Sequence, residues 1–255
     1  MANHVSHFYG YTLSDIRMEE LQVWISSISF SPKRIHNVYQ VLASILDLAN
    51  KLGRYPRMDH KLVVLPEVRV QRKPEFPIGT LGKLLEAAKG TELEGPIYAA
   101  GTLGLRLGEV CGLKVPHIQG ERIEVQDNRT REGESSKLKS KRSGEARVLH
   151  VPKQIAEKIL SYAEPGSLYV FNWKGKPIPS DRVTRHFQIY REKAGVQEMR
   201  FHDLRTLARS ELERNGASQT VIMQILGHST TRNSLRYQTE AGAAMKEALN
   251  KVQEG

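Results

Sequence analysis

Phe201–Tyr237 reads FHDLRTLARSELERNGASQTVIMQILGHSTTRNSLRY, and apolar spacing alone traces two helices through it. Leu204, Leu207, Ala208 and Leu212 recur at helical spacing, which predicts a helix from Phe201 with His202, Arg205, Thr206 and Arg209 on its other side. Asn215-Gly216 signals a turn. Val221, Ile222, Ile225 and Leu226 predict the inner face of a second helix, which Gly227 stops. His228 then falls just past a helix end, and Tyr237 closes the stretch. Taken singly, each residue has an ordinary explanation. Amphipathic helices carry charge on their outer face, a His beyond a helix end faces solvent, and such a tyrosine is half-buried.

Working outward, Val183–Ala194 predicts a helix, preceded by a loop, SLYVFNWKGKPIPSDRV, with a short apolar run. QIAEKILSYA after Pro152 predicts another, with Ile155, Ile159 and Leu160 inward. Glu121–Asp127 alternates like a half-buried strand, and Ala146–Val151 reads as its partner. The connection between them, NRTREGESSKLKSKRSGE, is polar and rich in lysine. It is either a solvated hairpin tip or an arm that carries a lysine to a phosphate or base edge. Further upstream, IYAAGTLGLRLGEVCGL reads as a helix on which Arg106 shares a face with Val110 and Leu113, with Glu109 one turn on. A long cation on an apolar face is costly unless paired. Arg106 and Glu109 form either a surface pair of little worth or a device that aims a guanidinium at an anion.

Toward the N-terminus, residues 13–60 read as helical. Ser31-Pro32 opens a helix carrying Ile35, Val38, Leu42, Ile45, Leu46 and Ala49 inward, with Gly53 as its stop. Met18, Leu21, Trp24, Ile25 and Ile28 predict a shorter one before it, and Lys33, Arg34, Lys51, Arg54 and Arg57 flank the pair. KLVVLPEVRVQRKPEFP, with its three prolines and basic run, is the best domain boundary. The expected organisation is a helical domain at 1–66, a linker at 67–77 and a larger domain at 78–255. Lys83–Lys89 opens that domain as a helix closed by Gly90. Met245, Leu249 and Val252 predict a last amphipathic helix, packed on its own core or on a neighbouring molecule.

The formal charge of +10 over 255 residues and a pI of about 9.7 imply a polyanionic partner, nucleic acid first. No stretch approaches the roughly 20 apolar residues a membrane span needs. Cys111 stands alone, so no disulfide framework is built, and MANHVSHFYGYTLSD is too polar for a signal peptide. A cytoplasmic location is expected.

Read together, three of these segments resemble the tyrosine recombinase, or phage integrase, family. GTLGLRLGEVCGL is similar to its first arginine box, FHDLRTLARSEL to its HxxR box, and LGHSTTRNSLRY to the box that ends in the nucleophile. Three motifs in order are far more specific than one. The resemblance covers about Ile78 to Gln238. It implies a mainly α fold with a small antiparallel β-sheet (α+β), the tyrosine recombinase catalytic fold preceded by a small helical DNA-binding domain.

It further implies a site-specific recombinase in which Tyr237 attacks a DNA phosphodiester, leaving a 3′-phosphotyrosyl link and a free 5′-hydroxyl. Arg106 and Arg205 would clamp the non-bridging oxygens, His202 would handle the tyrosine proton, and His228 would donate to the phosphate. A hairpin lysine would protonate the leaving oxygen; Lys137, Lys139 and Lys141 are available, and the family's usual placement favours Lys139, with Lys141 second. Glu109 would buttress Arg106. No metal or other cofactor is expected, since arginines supply the charge and the histidines lack zinc-type spacing. The expected partners are double-stranded DNA and further copies of the chain, a dimer on one site and a tetramer at a Holliday junction, with no membrane.

Two departures stand out. Thr206 occupies a position where the family often has a second His, and residues 1–66 are short for its N-terminal portion, as in a naturally short recombinase or a piece of a longer one. A type IB topoisomerase and a non-catalytic helix-turn-helix protein built on Leu204–Leu226 are the competing readings.

Overall fold

The computed structural model describes residues 6–56, 62–69, 75–129, 135–137, 147–227 and 238–254. They fall into two compact units, Met1–Pro74 and Glu75–Gly255.

The first unit is built on α1 (Met18–Ser27) and α2 (Pro32–Lys51). Ser31 caps α2 with extended backbone and Pro32 takes its first turn, where a missing N–H costs nothing. Leu21, Trp24 and Ile25 of α1 bury against Ile35, Tyr39, Leu42, Leu46 and Ala49 of α2. Ile45, expected inward, is 54% exposed. The seam advances by fours and threes from Ile35 through Tyr39, so Tyr39 takes the place expected of Val38, and Ile45 falls on the far side. Val63 is buried in the same core. The Gln22 amide pairs with Val64 in both directions, donating to its carbonyl at 3.2 Å and accepting from its N–H at 2.8 Å.

The second unit begins with α3 (Thr80–Ala88), α4 (Glu94–Leu103) and α5 (Leu107–Gly112). The expected single helix through Arg106 is broken. Gly104 turns left-handed at φ 63°, which ends α4, and Arg106 lies in extended backbone as the N-cap of α5. The strands follow: β1 (Ile118–Gln119), β2 (Arg122–Val125), β3 (Asp127–Arg129), β4 (Ser135–Lys137) and β5 (Arg147–His150). β1, β2 and β5 form an antiparallel sheet in that order, with Ile123 opposite Leu149 and Val125 opposite Arg147. The polar, lysine-rich connection between the long strands, expected as a hairpin tip or an arm, carries a second ladder, β3 against β4.

Next come α6 (Lys153–Leu160) and a small hairpin, β6 (Asn172–Trp173) with β7 (Lys176–Pro177), where only a loop was expected. Lys174 and Gly175, both at positive φ, make its turn. Then α7 (Ser180–Lys193), α8 (Asp203–Arg214), α9 (Gln219–Leu226) and α10 (Gln238–Glu254) complete the unit. Ser218 caps α9 by accepting from Val221 N–H at 3.3 Å. Met245, Ala248 and Leu249 of α10 bury in the unit's own core beside Ile222, Ile225 and Leu226. The architecture is the expected one, mainly helical with small antiparallel sheets. Among the described residues no helix is long and apolar enough to cross a membrane.

Candidate active site

The break at Gly104 decides where Arg106 goes. As the N-cap of α5, Arg106 has a backbone N–H that no helical carbonyl can take, and Glu109 at N3 supplies the acceptor. Glu109 Oε2 accepts that N–H at 2.9 Å, and Oε1 accepts from Arg106 Nη1 at 2.8 Å. Glu109 is 1% exposed, so this is no surface pair. Arg106 is held through its backbone N–H and one guanidinium nitrogen, and its side chain remains 35% exposed.

Arg205 enters the same neighbourhood from the first turn of α8. It was expected on the polar side of that helix, but only 7% of it is exposed, so it is buried with Leu204 and Ala208. Its Nη1 donates to Gly104 O at 2.6 Å, and Nη2 donates to Leu226 O. Both carbonyls belong to helix ends, where the chain has acceptors to spare. Those acceptors draw a cation into an apolar layer that α8's own periodicity reserves for leucine. Gly104 is needed in its place for two reasons: φ is positive, and a Cβ there would come within 2.3 Å of Leu226 Cδ2.

Sequence reasoning missed a third guanidinium. Arg147 opens β5, and its side chain is 10% exposed. Nη2 donates to Glu109 Oε2 at 2.9 Å and Nη1 to Ile225 O at 3.0 Å. A signal was present: strand alternation puts Arg147 on the same face as Leu149 and Val151, both buried. An inward-facing arginine demands acceptors.

The cluster thus sets three guanidinium groups around one buried carboxylate. Burial, then the charges of Arg106 and Arg147, push the Arg205 guanidinium down to about 10, against an opposing pull from Glu109. Burial also lowers Arg147, with Glu109 opposing and Arg106 adding to the effect. Among the described residues three arginines share this one carboxylate, so positive charge is left in excess. Such a site is built to receive an anion with several oxygens.

His202 is exposed at the N-cap of α8, one turn from Arg205 on the same segment. Arg106 and Arg205 are therefore brought together, with His202 at the head of the helix that carries Arg205. Lys139, His228 and Tyr237 lie outside the described residues, as does Lys141, and the side chain of Lys137 is likewise undescribed. Among the described residues no three His, Cys, Asp or Glu side chains gather as a metal-binding group.

The model of the phage integrase family matches residues 84–242, well over half the chain. The chain belongs to that family. Its class of activity is that of a tyrosine recombinase, the cutting and rejoining of DNA strands. A XerC-like tyrosine recombinase from Caldanaerobacter subterraneus subsp. tengcongensis is 25% identical over 88% of this chain and 67% of its own length. An integrase of Mycobacterium phage FRAT1 is 24% identical over 88% of this chain and 70% of its own. The chain thus spans about two thirds of these relatives. Among solved structures, the Tn1549 transposon integrase with transposon right end DNA aligns at a TM-score of 0.70 and 17% identity, covering 91% of this chain and 87% of that one. A lambda integrase dimer on a COC′ core site aligns at 0.63 and 17%, covering 91% and 90%. These two likenesses bear on the fold, which is the integrase fold that the three sequence boxes implied. Neither the topoisomerase nor the helix-turn-helix reading finds support among these relatives.

Proposed function

We propose that this integrase-family chain is a site-specific recombinase whose chemistry is carried by Arg106, Lys139, His202, Arg205, His228 and Tyr237. The observation that supports it is the hydrogen bond from Arg205 to Gly104, which joins the HxxR helix to the turn that presents Arg106.

The Tyr237 phenolic oxygen attacks the scissile phosphorus. The P–O bond to the 5′-oxygen breaks as the 3′-phosphotyrosyl bond forms, and a proton passes to the leaving oxygen. Lys139 is the donor of that proton, and His202 receives the one the phenol gives up. Charge that builds on the non-bridging oxygens is met by Arg106, Arg205 and a hydrogen bond from His228. The arginines are fixed before DNA arrives, so little reorganisation is needed at the moment of reaction. Religation reverses the step with a 5′-hydroxyl as the nucleophile. The phosphotyrosyl link retains the energy of the bond it replaced.

In this reading residues 1–66 form a DNA-gripping domain, 67–77 a linker and 78–255 the catalytic domain. The partners are duplex DNA and other copies of the chain, two on one site and four in a synapse that passes through a Holliday junction. The site of action is the cytoplasm. Incubating the protein with a nicked suicide duplex and locating the adduct by mass spectrometry tests the core of this. A covalent nucleotide on Tyr237 is expected. Adduct on another residue, or none on any target-bearing duplex, overturns it.

A further inference from the structure

We infer that Arg147 is a positioning residue for the strand-cleavage site, a strut that ties the buttress of Arg106 to the end of α9. The inference rests on the recombinase reading above for its catalytic consequence, while the geometry stands by itself.

Glu109 holds Arg106 by both its backbone N–H and its guanidinium. What holds Glu109 is Arg147, through Nη2 at 2.9 Å on the same Oε2 that takes the Arg106 N–H. The other arm of the fork ends on Ile225 O in the last turn of α9. Arg205 closes the circuit, because its own arms end on Gly104 O and on Leu226 O, the neighbour of Ile225. Two buried guanidinium groups, one from β5 and one from α8, therefore stitch the turn ahead of α5 to the end of α9. His228 follows that helix end directly in the chain.

Gly227 is shaped for the same strut. It is left-handed at φ 65°, and a Cβ on it would come within 2.4 Å of Arg147 Nη1 and 2.7 Å of Cδ. A side chain there would displace the guanidinium, and its absence lets the helix terminus close over Arg147. The planar fork matters because it reaches two acceptors on different elements at once. A lysine ammonium in the same place is a point charge on a flexible stem. Arg147 contacts Glu109 and the end of α9, so it acts on Arg106 and on that helix end without being a group that reacts.

Three variants test this: Arg147→Gln, Arg147→Lys, and Arg147→Gln combined with Glu109→Gln. Two readouts apply to each, single-turnover adduct formation at saturating suicide DNA with the Kd for the same duplex, and amide hydrogen exchange. Arg147→Gln is expected to slow adduct formation on the order of 10²-fold, the scale of a small misplacement of catalytic groups. DNA affinity should stay within about threefold of wild type, as for a group that acts on the reacting centre rather than on binding. Arg147→Lys should recover little of the rate. The double variant should be no slower than the worse single one, since both changes cut one network. Exchange at the Arg106 amide and in the last turn of α9 should quicken by at least about tenfold more than in α4. Near-wild-type rate and exchange in Arg147→Gln, full rescue by lysine, or additive effects in the double variant would each overturn the proposal. Should wild type itself yield no adduct, the recombinase reading fails, and the exchange pattern alone then decides whether Arg147 is the strut.

Discussion

Arg205 Nη1 donates to the carbonyl of Gly104 at 2.6 Å, across 101 residues of chain. One bond makes the helix of the HxxR box and the turn within the first arginine box parts of a single wall. The two arginines nonetheless differ in how they are held. Arg205 is buried with two carbonyl partners, whereas Arg106 is pinned by Glu109 and a third of it is open to solvent.

That difference predicts unlike outcomes for two similar truncations. Arg106→Ala should fold with little change in Tm and lose adduct formation by on the order of 10²–10³-fold or more, as when a focused charge donor is removed. Arg205→Ala should lose activity at least as far and also melt earlier, because Gly104 O and Leu226 O are left without their donor at about 1–3 kcal/mol each. Thermal melts beside suicide-substrate kinetics make the comparison. Equal Tm values for the two variants would contradict the burial assigned to Arg205.

Glu109→Gln removes the one carboxylate from among three guanidinium groups. Breaking a buried pair this way costs about 3–5 kcal/mol, so a large fall in denaturation midpoint is expected. Glu157→Gln, which breaks a pair with Lys153 that is 71% and 61% exposed, should scarcely move it. Inorganic phosphate or sulfate should raise the Tm of Glu109→Gln more than that of wild type, since the uncovered positive charge favours an anion in the folded state. Parallel denaturant titrations with and without sulfate check both statements.

Tyr237→Phe should abolish the covalent adduct while the Kd for DNA stays near wild type, because a single oxygen is lost. Affinity for both proteins should fall linearly in log–log form as salt rises, in proportion to the number of phosphates neutralised. A phenylalanine variant that still forms adduct would move the nucleophile elsewhere.

His150 predicts a pH dependence in the docking of α10. Its ring lies against Gly242, with a Cβ built there only 3.0 Å from Cγ. Burial first, then the charges of Lys246 and Arg122, hold its imidazole below the usual value, with Glu121 opposing. A depressed histidine favours the fold while neutral. Its contribution is complete above the unfolded value of about 6.5 and is lost as pH falls through the folded value. Tm should therefore drop from pH 7 toward pH 5, and His150→Gln should flatten that part of the curve. Identical slopes for the two proteins would refute it.

Much of the architecture is legible in the residues because it rests on short-range periodicity. The apolar rows of α6, α7, α9 and α10, the alternation of β2 and β5, and the stop at Gly227 all follow from neighbours a few positions apart. Where expectation and structure part, a longer-range contact is responsible. Gly104 ends α4 because the chain must turn there to present Arg106, which helical propensity in GTLGLRL does not reveal. Ile45 points outward because the buried row of α2 runs through Ile35, Tyr39, Leu42, Leu46 and Ala49, which puts position 45 off the seam. β3 and β4 pair inside a stretch whose polar composition reads as loop, since backbone hydrogen bonds need no apolar side chain.

By itself the sequence determined a basic, mainly helical chain, most of its helices and the pairing of β2 with β5, and three boxes in the order of the integrase family. Those properties are written in composition and in spacings of two to four residues, so no knowledge of distant contacts is needed to read them. Only the tertiary structure decided that Arg205 is buried, that Glu109 serves two arginines, and that Arg147 belongs with them. The acceptors that settle these matters lie 101, 21, 38 and 78 residues away along the chain. A guanidinium's worth depends on which carbonyls and carboxylates surround it, and that surrounding exists only once the helix ends have met.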